Sequence, residues 1–195
     1  MNLIIGLVLA TSPTIGFGVG QTLGGHLLTP TLFTMRYVVT PELVVAPELS
    51  FEYTSSASVT DSVWSSNLVI DIETNLYCCW HKYINTRSYF IWGMGVRSEH
   101  EWDKWYEYPP PFSHDTTYEV KQTTYATSYK VNVGLGLERY ITHTVSVCIA
   151  TISNVRYEIS ETRREERGEE RVSRCDEWKI DFHNLMCVLY LILYF

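Results

Sequence analysis

The 195-residue chain has no apolar run approaching the roughly 18 residues of a membrane-spanning helix, which excludes a transmembrane α-helix. Basic residues are in the minority: 15 Lys and Arg against 22 Asp and Glu leave a net charge of −7. That balance excludes the basic face needed to bind nucleic acid. There is no CxxC and no Cys/His spacing of the kind that holds zinc, so neither metal nor cofactor is expected. The five cysteines, Cys78, Cys79, Cys148, Cys175 and Cys187, are odd in number. Adjacent Cys78 and Cys79 point to opposite faces of a strand, and all five read as small apolar fillers. No Lys or Arg precedes the short apolar stretch Leu3 to Ala10, although Val8-Leu9-Ala10 suits a small-residue cleavage site. Residues 1–13 therefore read as a short or truncated export signal or an N-terminal extension, or else as an extra piece of the first strand.

Aromatic residues, by contrast, reach 14%, with fourteen Tyr and six Trp, while charged residues are only 19%. Such rings suit β-structure and membrane–water interfaces. The dominant pattern is period-two alternation. In YKVNVGLGLE, Tyr129, Val131, Val133, Leu135 and Leu137 share one face, and Lys130, Asn132, Gly134, Gly136 and Glu138 share the other. The same split recurs in IGFGVG, TLFTMRY, LVVAPELSFEY, NLVIDIETNLYCCW, YFIWGMGVRSE and VSVCIATISNVRYEI. With the apolar C-terminal segment this predicts eight strands, at about 14–21, 27–40, 43–56, 65–81, 87–103, 117–141, 145–161 and 175–195. Short links at Pro41-Glu42, 82–86 and 142–144 alternate with longer polar links at 55–66, 103–116 and 161–177. Antiparallel hairpins with turns at one end and loops at the other follow.

Bulk and charge determine which face is inside. The polar faces carry Arg36, Glu48, Glu52, Asp71, Glu73, Arg97, Glu99, Lys130, Glu138, Arg156 and Glu158, interspersed with glycine. The apolar faces carry bulky groups such as Phe33, Phe51, Trp80, Trp92 and Tyr129. A narrow eight-stranded interior must be filled by side chains without room for many large ones. This predicts an all-β, eight-stranded antiparallel up-and-down transmembrane β-barrel over 14–195, apolar outside, with a charged, filled lumen. Arg36 is expected to face Glu48. Asp71 is expected opposite Arg97 with Glu73 diagonal to it, and Glu138 and Glu158 are available to Lys130 and Arg156. Seven carboxylates against four basic groups would tilt any pore slightly toward cations. Aromatics near the strand ends, such as Tyr37, Trp80, Tyr140 and Tyr194 at one end and Tyr53, Trp102, Tyr157 and Trp178 at the other, predict two girdles.

GFGVG, the TPELVVAPELSFEYTSS hairpin, VGLGLERYIT and a closing strand ending in Tyr-Phe resemble the outer membrane protein β-barrel family. Small eight-stranded OmpA-, OmpX- and OmpW-like barrels of Gram-negative bacteria share this architecture. The resemblance implies residence in the bacterial outer membrane, among its lipid and lipopolysaccharide. It also implies that Leu189, Leu191, Leu193 and Phe195 form an outward-facing signal read by the barrel assembly machinery. Tyr194, Ile192, Tyr190 and Val188 depart from the pattern by making the inner face of the last strand apolar as well. The expected function is an integral outer-membrane barrel with a largely plugged lumen and a structural or surface-interaction role, acting as a monomer. Its long outer loops are the expected place for a surface ligand. A small pore for ions or apolar solutes is the alternative, and a lipid-modifying enzyme is a third reading. His100 and His114 with Ser98 and Ser113 lack an orienting third group and read as solvated loop residues, so no enzyme is expected. The run ETRREERGEERVSRCDE reads as a solvated loop, mobile around Gly168, whose arginines suit lipopolysaccharide phosphates. In WDKWYEYPPPF, three prolines stiffen a loop whose aromatics read as part of a girdle.

Overall fold

The computed structural model describes residues 14–22, 32–58, 63–107 and 117–195, with backbone alone at Thr22, Ser58 and 180–186. The expectations for residues 1–13, for the start of the second strand at 27–31, and for Ser113, His114 and the three prolines lie outside the described residues. Eight strands form a closed antiparallel barrel in sequence order. They are β1 (Thr14–Thr22), β2 (Leu32–Thr40), β3 (Leu43–Ser58), β4 (Val63–Tyr83), β5 (Thr86–Glu107), β6 (Tyr118–Tyr140), β7 (Val145–Glu166) and β8 (Glu169–Tyr194). The ring closes where β1 meets β8, with Gly16 opposite Tyr194 and Thr22 opposite Val188. Among the described residues no helix is long and apolar enough to cross a membrane, a statement that has no bearing on strands.

Exposure decides the sidedness. Phe51, Trp92, Val133 and Leu135 are 53%, 47%, 45% and 58% exposed, whereas Arg36 is 0%, Lys130 6% and Asp71 8% exposed. A water-soluble barrel would reverse these values. The bulky residues form the outer wall and the charged ones fill the centre, the arrangement of a barrel that crosses lipid. Glycine makes the filling feasible. A Cβ on Gly16 would lie 2.8 Å from the Tyr194 ring, so the absent side chain on β1 leaves room for a large one on β8.

The strands differ greatly in length. β1 and β2 have nine described residues each, close to the 9–11 that cross a bilayer, whereas β4 to β8 have 21 to 26. The upper halves of the long strands therefore rise well beyond the apolar band. This corrects the expected loops. β5 continues to Glu107, and the charged run at 161–177 is a strand pair joined by a two-residue turn. Arg167 (φ 51) and Gly168 (φ 82) both have positive φ, as a type I′ hairpin turn requires. Some of these charges are answered across the ladder, Glu161 by Arg174 on β8 and Glu165 by Lys121 on β6, although Arg164 faces Arg171 and Glu165 faces Glu170.

A second correction concerns register. β7 and β8 shift between Ile152 and Asn154, whose partners step from Met186 to Asp181. β8 thus spends an odd surplus of residues there, and its alternation reverses. Even-numbered residues face inward near the C-terminus, but odd-numbered Lys179 and Glu177 lie opposite the inward-facing Arg156 and Glu158 higher up.

Candidate functional site in the barrel lumen

The lumen is organised in layers, counted from the short-turn end. In the lowest, Arg36 is fully buried and its Nη1 donates to Glu138 Oε2 at 3.4 Å. Its guanidinium carbon lies 4.3 Å from the centre of the Tyr77 ring and 5.5 Å from that of Tyr190. Both rings share the charge by cation–π attraction, which strengthens away from water. Arg36 Nε and Nη2 have no hydrogen-bond partner among the described residues and are held among these rings. Tyrosine hydroxyls supply the remaining donors. Tyr77 and Tyr190 each donate to Glu48 at 3.0 Å. Tyr89 and Tyr194 donate to Glu138 at 2.8 and 2.7 Å, and Ser146 donates to it as well. Strands β2 through β8 thus all contribute to a cluster of one cation and two carboxylates, with every carboxylate oxygen occupied.

Arg36 does not lie opposite Glu48. A register shift between Val38 and Thr40 places Thr34 opposite Glu48, so the guanidinium reaches across the lumen to β6 instead. Glu138 is therefore Arg36's partner and not Lys130's.

In the middle layer Lys130 bonds both Asp71 and Glu73, and Asn132 bridges Glu73 and Asn75. Lys130 sits opposite Arg156 in the register, a like-charge pair, but it turns away toward β4. Asp71 does lie opposite Arg97, with Glu73 opposite the neighbouring Gly95. A Cβ on Gly95 would fall 2.9 Å from Glu73 Cγ and 3.1 Å from Lys130 Cε, so this glycine leaves space for the cluster.

The upper layer is wetter. Arg97 pairs with Glu99 at 3.2 Å, both about one-third exposed, and Asn67 donates to Glu99 at 2.9 Å. Ser128 and Lys179 donate to Glu158, which Arg156 approaches at 3.9 Å. Glu52 is exposed and has no hydrogen-bond or ion-pair partner among the described residues. Glu52 stands outside the cluster, while β8 adds Lys179 together with Glu177, which pairs with it at 2.7 Å, so carboxylates still outnumber cations. Lys179 was hidden by the reversed alternation of β8. The four tyrosines carried a readable signal: four hydroxyls at inward positions beside two carboxylates.

Above the apolar band the strands carry a third kind of cluster. Tyr118 donates to Glu107 and Glu166 at 2.8 and 3.0 Å, and Arg164 reaches Glu107 at 2.8 Å. The hydrogen bond from Tyr118 and the Arg164 charge hold Glu107 below the usual carboxylate range, while Tyr118 is pushed up to about 12 by the two carboxylates it serves. On the outer side, hydrogen bonds from Arg163 and Arg174 lower Glu161, and Lys104 and Lys121 lower Glu119. His100 is stacked against Trp102 and Tyr125, with ring centroids 3.6 and 4.1 Å apart. It belongs to the outer aromatic wall. The C-terminal Leu189, Leu191, Leu193 and Phe195 all point outward and are exposed, with the Phe195 ring edge-on to Phe17. All five cysteines are free. Among the described residues, no three His, Cys, Asp or Glu side chains are grouped to hold a metal.

No family model matches the chain, and no curated protein does. Solved structures do. A major outer membrane protein from Thermus thermophilus is 12% identical over 94% of this chain and 100% of its own, with a TM-score of 0.51. The attachment invasion locus protein Ail of Yersinia pestis is 10% identical over 93% of each chain, with a TM-score of 0.33. The outer membrane protein AlkL in lipid bilayers is 12% identical over 94% of this chain and 87% of its own, with a TM-score of 0.38. The first of these establishes a shared fold.

Proposed function

Starting from the fold of a small outer-membrane β-barrel, we propose that this chain is an integral outer-membrane protein with a plugged lumen and a structural and surface-interaction role. The observation that carries this reading is the lowest layer: Arg36, Tyr77, Tyr89, Tyr190 and Glu138 all have zero exposure. A continuous water path would have to break that layer, removing a buried charge from its partner at a cost of roughly 3–5 kcal/mol. The long upper strands then serve as the presenting element, raising the charged and aromatic faces of β5 to β8 beyond the lipid. Lipopolysaccharide is the partner that suits their outer side, because Lys104, Lys121, Arg163 and Arg174 lie just above the aromatic wall. The exposed Leu189, Leu191, Leu193 and Phe195 suit recognition by the barrel assembly machinery. The protein acts as a monomer and without catalysis, since His100, the histidine beside Ser98, is committed to the outer wall.

Conductance of the purified protein in a planar lipid bilayer tests this reading. We expect no steady channel at neutral pH. A stable open level would replace the plug with a pore, and with carboxylates in excess that pore would weakly favour cations.

A further inference from the structure

At the short-turn end, the β4–β5 and β6–β7 turns enclose a cavity of about 430 Å³. The two turns are tied together by the Tyr140 N–H, which donates to the Asn85 carbonyl at 2.8 Å. Lys82, Asn85, Arg87, Thr142 and His143 supply the polar lining, and no carboxylate is among the described residues that line it. Ile84 and Ile141, 76% and 64% exposed, form an apolar lip.

Two features make this more than a surface hollow. First, Lys82 lies directly opposite Arg87 in the strand register. Like charges placed so are destabilising unless something answers them. Glu138 and Tyr89 act on Arg87 from inside the lumen, but no described residue answers Lys82 with an ion pair. Arg87 has no ion pair among the described residues either, and its guanidinium rests over the Tyr140 ring at 5.0 Å. Glu138 is opposite Arg87 on the other side, but Arg36, Tyr89, Tyr194 and Ser146 already use both of its oxygens. Glu42, at the neighbouring turn, is exposed and forms no ion pair with Lys82. Second, Ile84 has φ 44, a conformation that strains a β-branched residue. The two-residue turn demands that sign of φ, yet glycine or asparagine would meet it without the strain that isoleucine carries.

We propose that this cavity binds a phosphate-bearing anion, with Lys82 and Arg87 neutralising its charge and Asn85 and His143 donating from the two turns. Donors converging from separate turns fit a tetrahedral group with oxygens in several directions. A planar carboxylate would be covered by one arginine fork. The phosphate belongs either to a soluble ester or to a lipid headgroup whose chains lie along the isoleucine lip.

The test uses the full chain refolded in zwitterionic detergent. Isothermal titration with inorganic phosphate against chloride at matched ionic strength reads the soluble arm. Native mass spectrometry after incubation with phosphatidylglycerol reads the lipid arm. Saturable binding in either arm, weakened about tenfold or more by Lys82→Glu, supports the site and identifies its source. Lys82→Glu places opposite charges across the hairpin, so its folded band on an unboiled gel should be at least as heat-resistant as the parent's. Loss of binding then cannot be loss of fold, and Lys82→Gln serves as a milder second variant. A parent that binds neither probe, or variants that bind as the parent does, would overturn the proposal.

Discussion

Arg36 lies at zero exposure with a single ion-pair partner and two aromatic rings, so its replacement exposes what the lowest layer is worth. Arg36→Met leaves Glu138 and Glu48 buried without a cation, and should cost roughly 3–5 kcal/mol. Combining Arg36→Met with Glu138→Gln should recover a large part of that, because the second change removes the stranded charge. Equilibrium unfolding in urea, followed by the gel shift between folded and unfolded forms, measures both. Gly134 makes a different demand. A Cβ there would lie 2.2 Å from the Thr151 carbonyl oxygen, a backbone atom that cannot step aside. Gly134→Val should therefore loosen β6 from β7 at a cost of about 1–3 kcal/mol in the same assay. Arg36, Lys130, Asp71 and Glu138 were legible as inward residues from alternation alone. Their partners were not. Alternation reports which side a residue faces, but the height at which two inward residues meet across the lumen depends on register and bulges. That is why Arg36 reached Glu138 on β6 and missed Glu48 on the neighbouring strand.

At the scale of elements, the described parts of β1 and β2 are nine residues each, and the described ring is closed along its lower rungs. Above Ser50 and Val188 the outer edges of β3 and β8 have no described partner strand. Strand positions that project beyond the lipid meet water, where charged side chains are readily accommodated. β8 carries Glu169, Glu170, Arg171, Arg174, Asp176 and Glu177 along this stretch, which accounts for a composition that reads as a loop. The cross-strand pairs that hold the projecting sheet rely on carboxylates with lowered pKa, notably Glu107, Glu119 and Glu161. A carboxylate lowered on folding adds stability above its ordinary value of 4.5, and that stability is lost as the pH falls through the folded value. Acidification below about pH 4.5 should thus loosen the upper halves of β5 to β8 while the lower rungs persist. Amide exchange corrected for intrinsic rate, compared at about pH 6 and about pH 3.5, should show protection falling at the ends near Glu107 and Glu166 and holding at Val133 and Ile149. Uniform loss along the strands would count against it.

For the whole molecule, the number of strands, their order and the apolar outside were all readable from period-two patterning and bulk. They depend on local repetition, which survives ignorance of three-dimensional contacts. Barrel height was not readable, because charged strand ends and charged loops have the same composition until a neighbour is known. The compact barrel, filled by its own side chains, should migrate faster unboiled than boiled on a denaturing gel, and a single band position in both states would argue against it. The sidedness of the wall is the claim on which the lumen, the plug and the projecting sheet all depend. It is tested most directly by a variant that keeps Trp92 and replaces the other five tryptophans with Phe, reconstituted in lipid brominated along its acyl chains. Trp92 should be strongly quenched by the brominated chains and only weakly by aqueous iodide. Strong quenching by iodide with none from the lipid would place Trp92 away from the hydrocarbon and contradict the account.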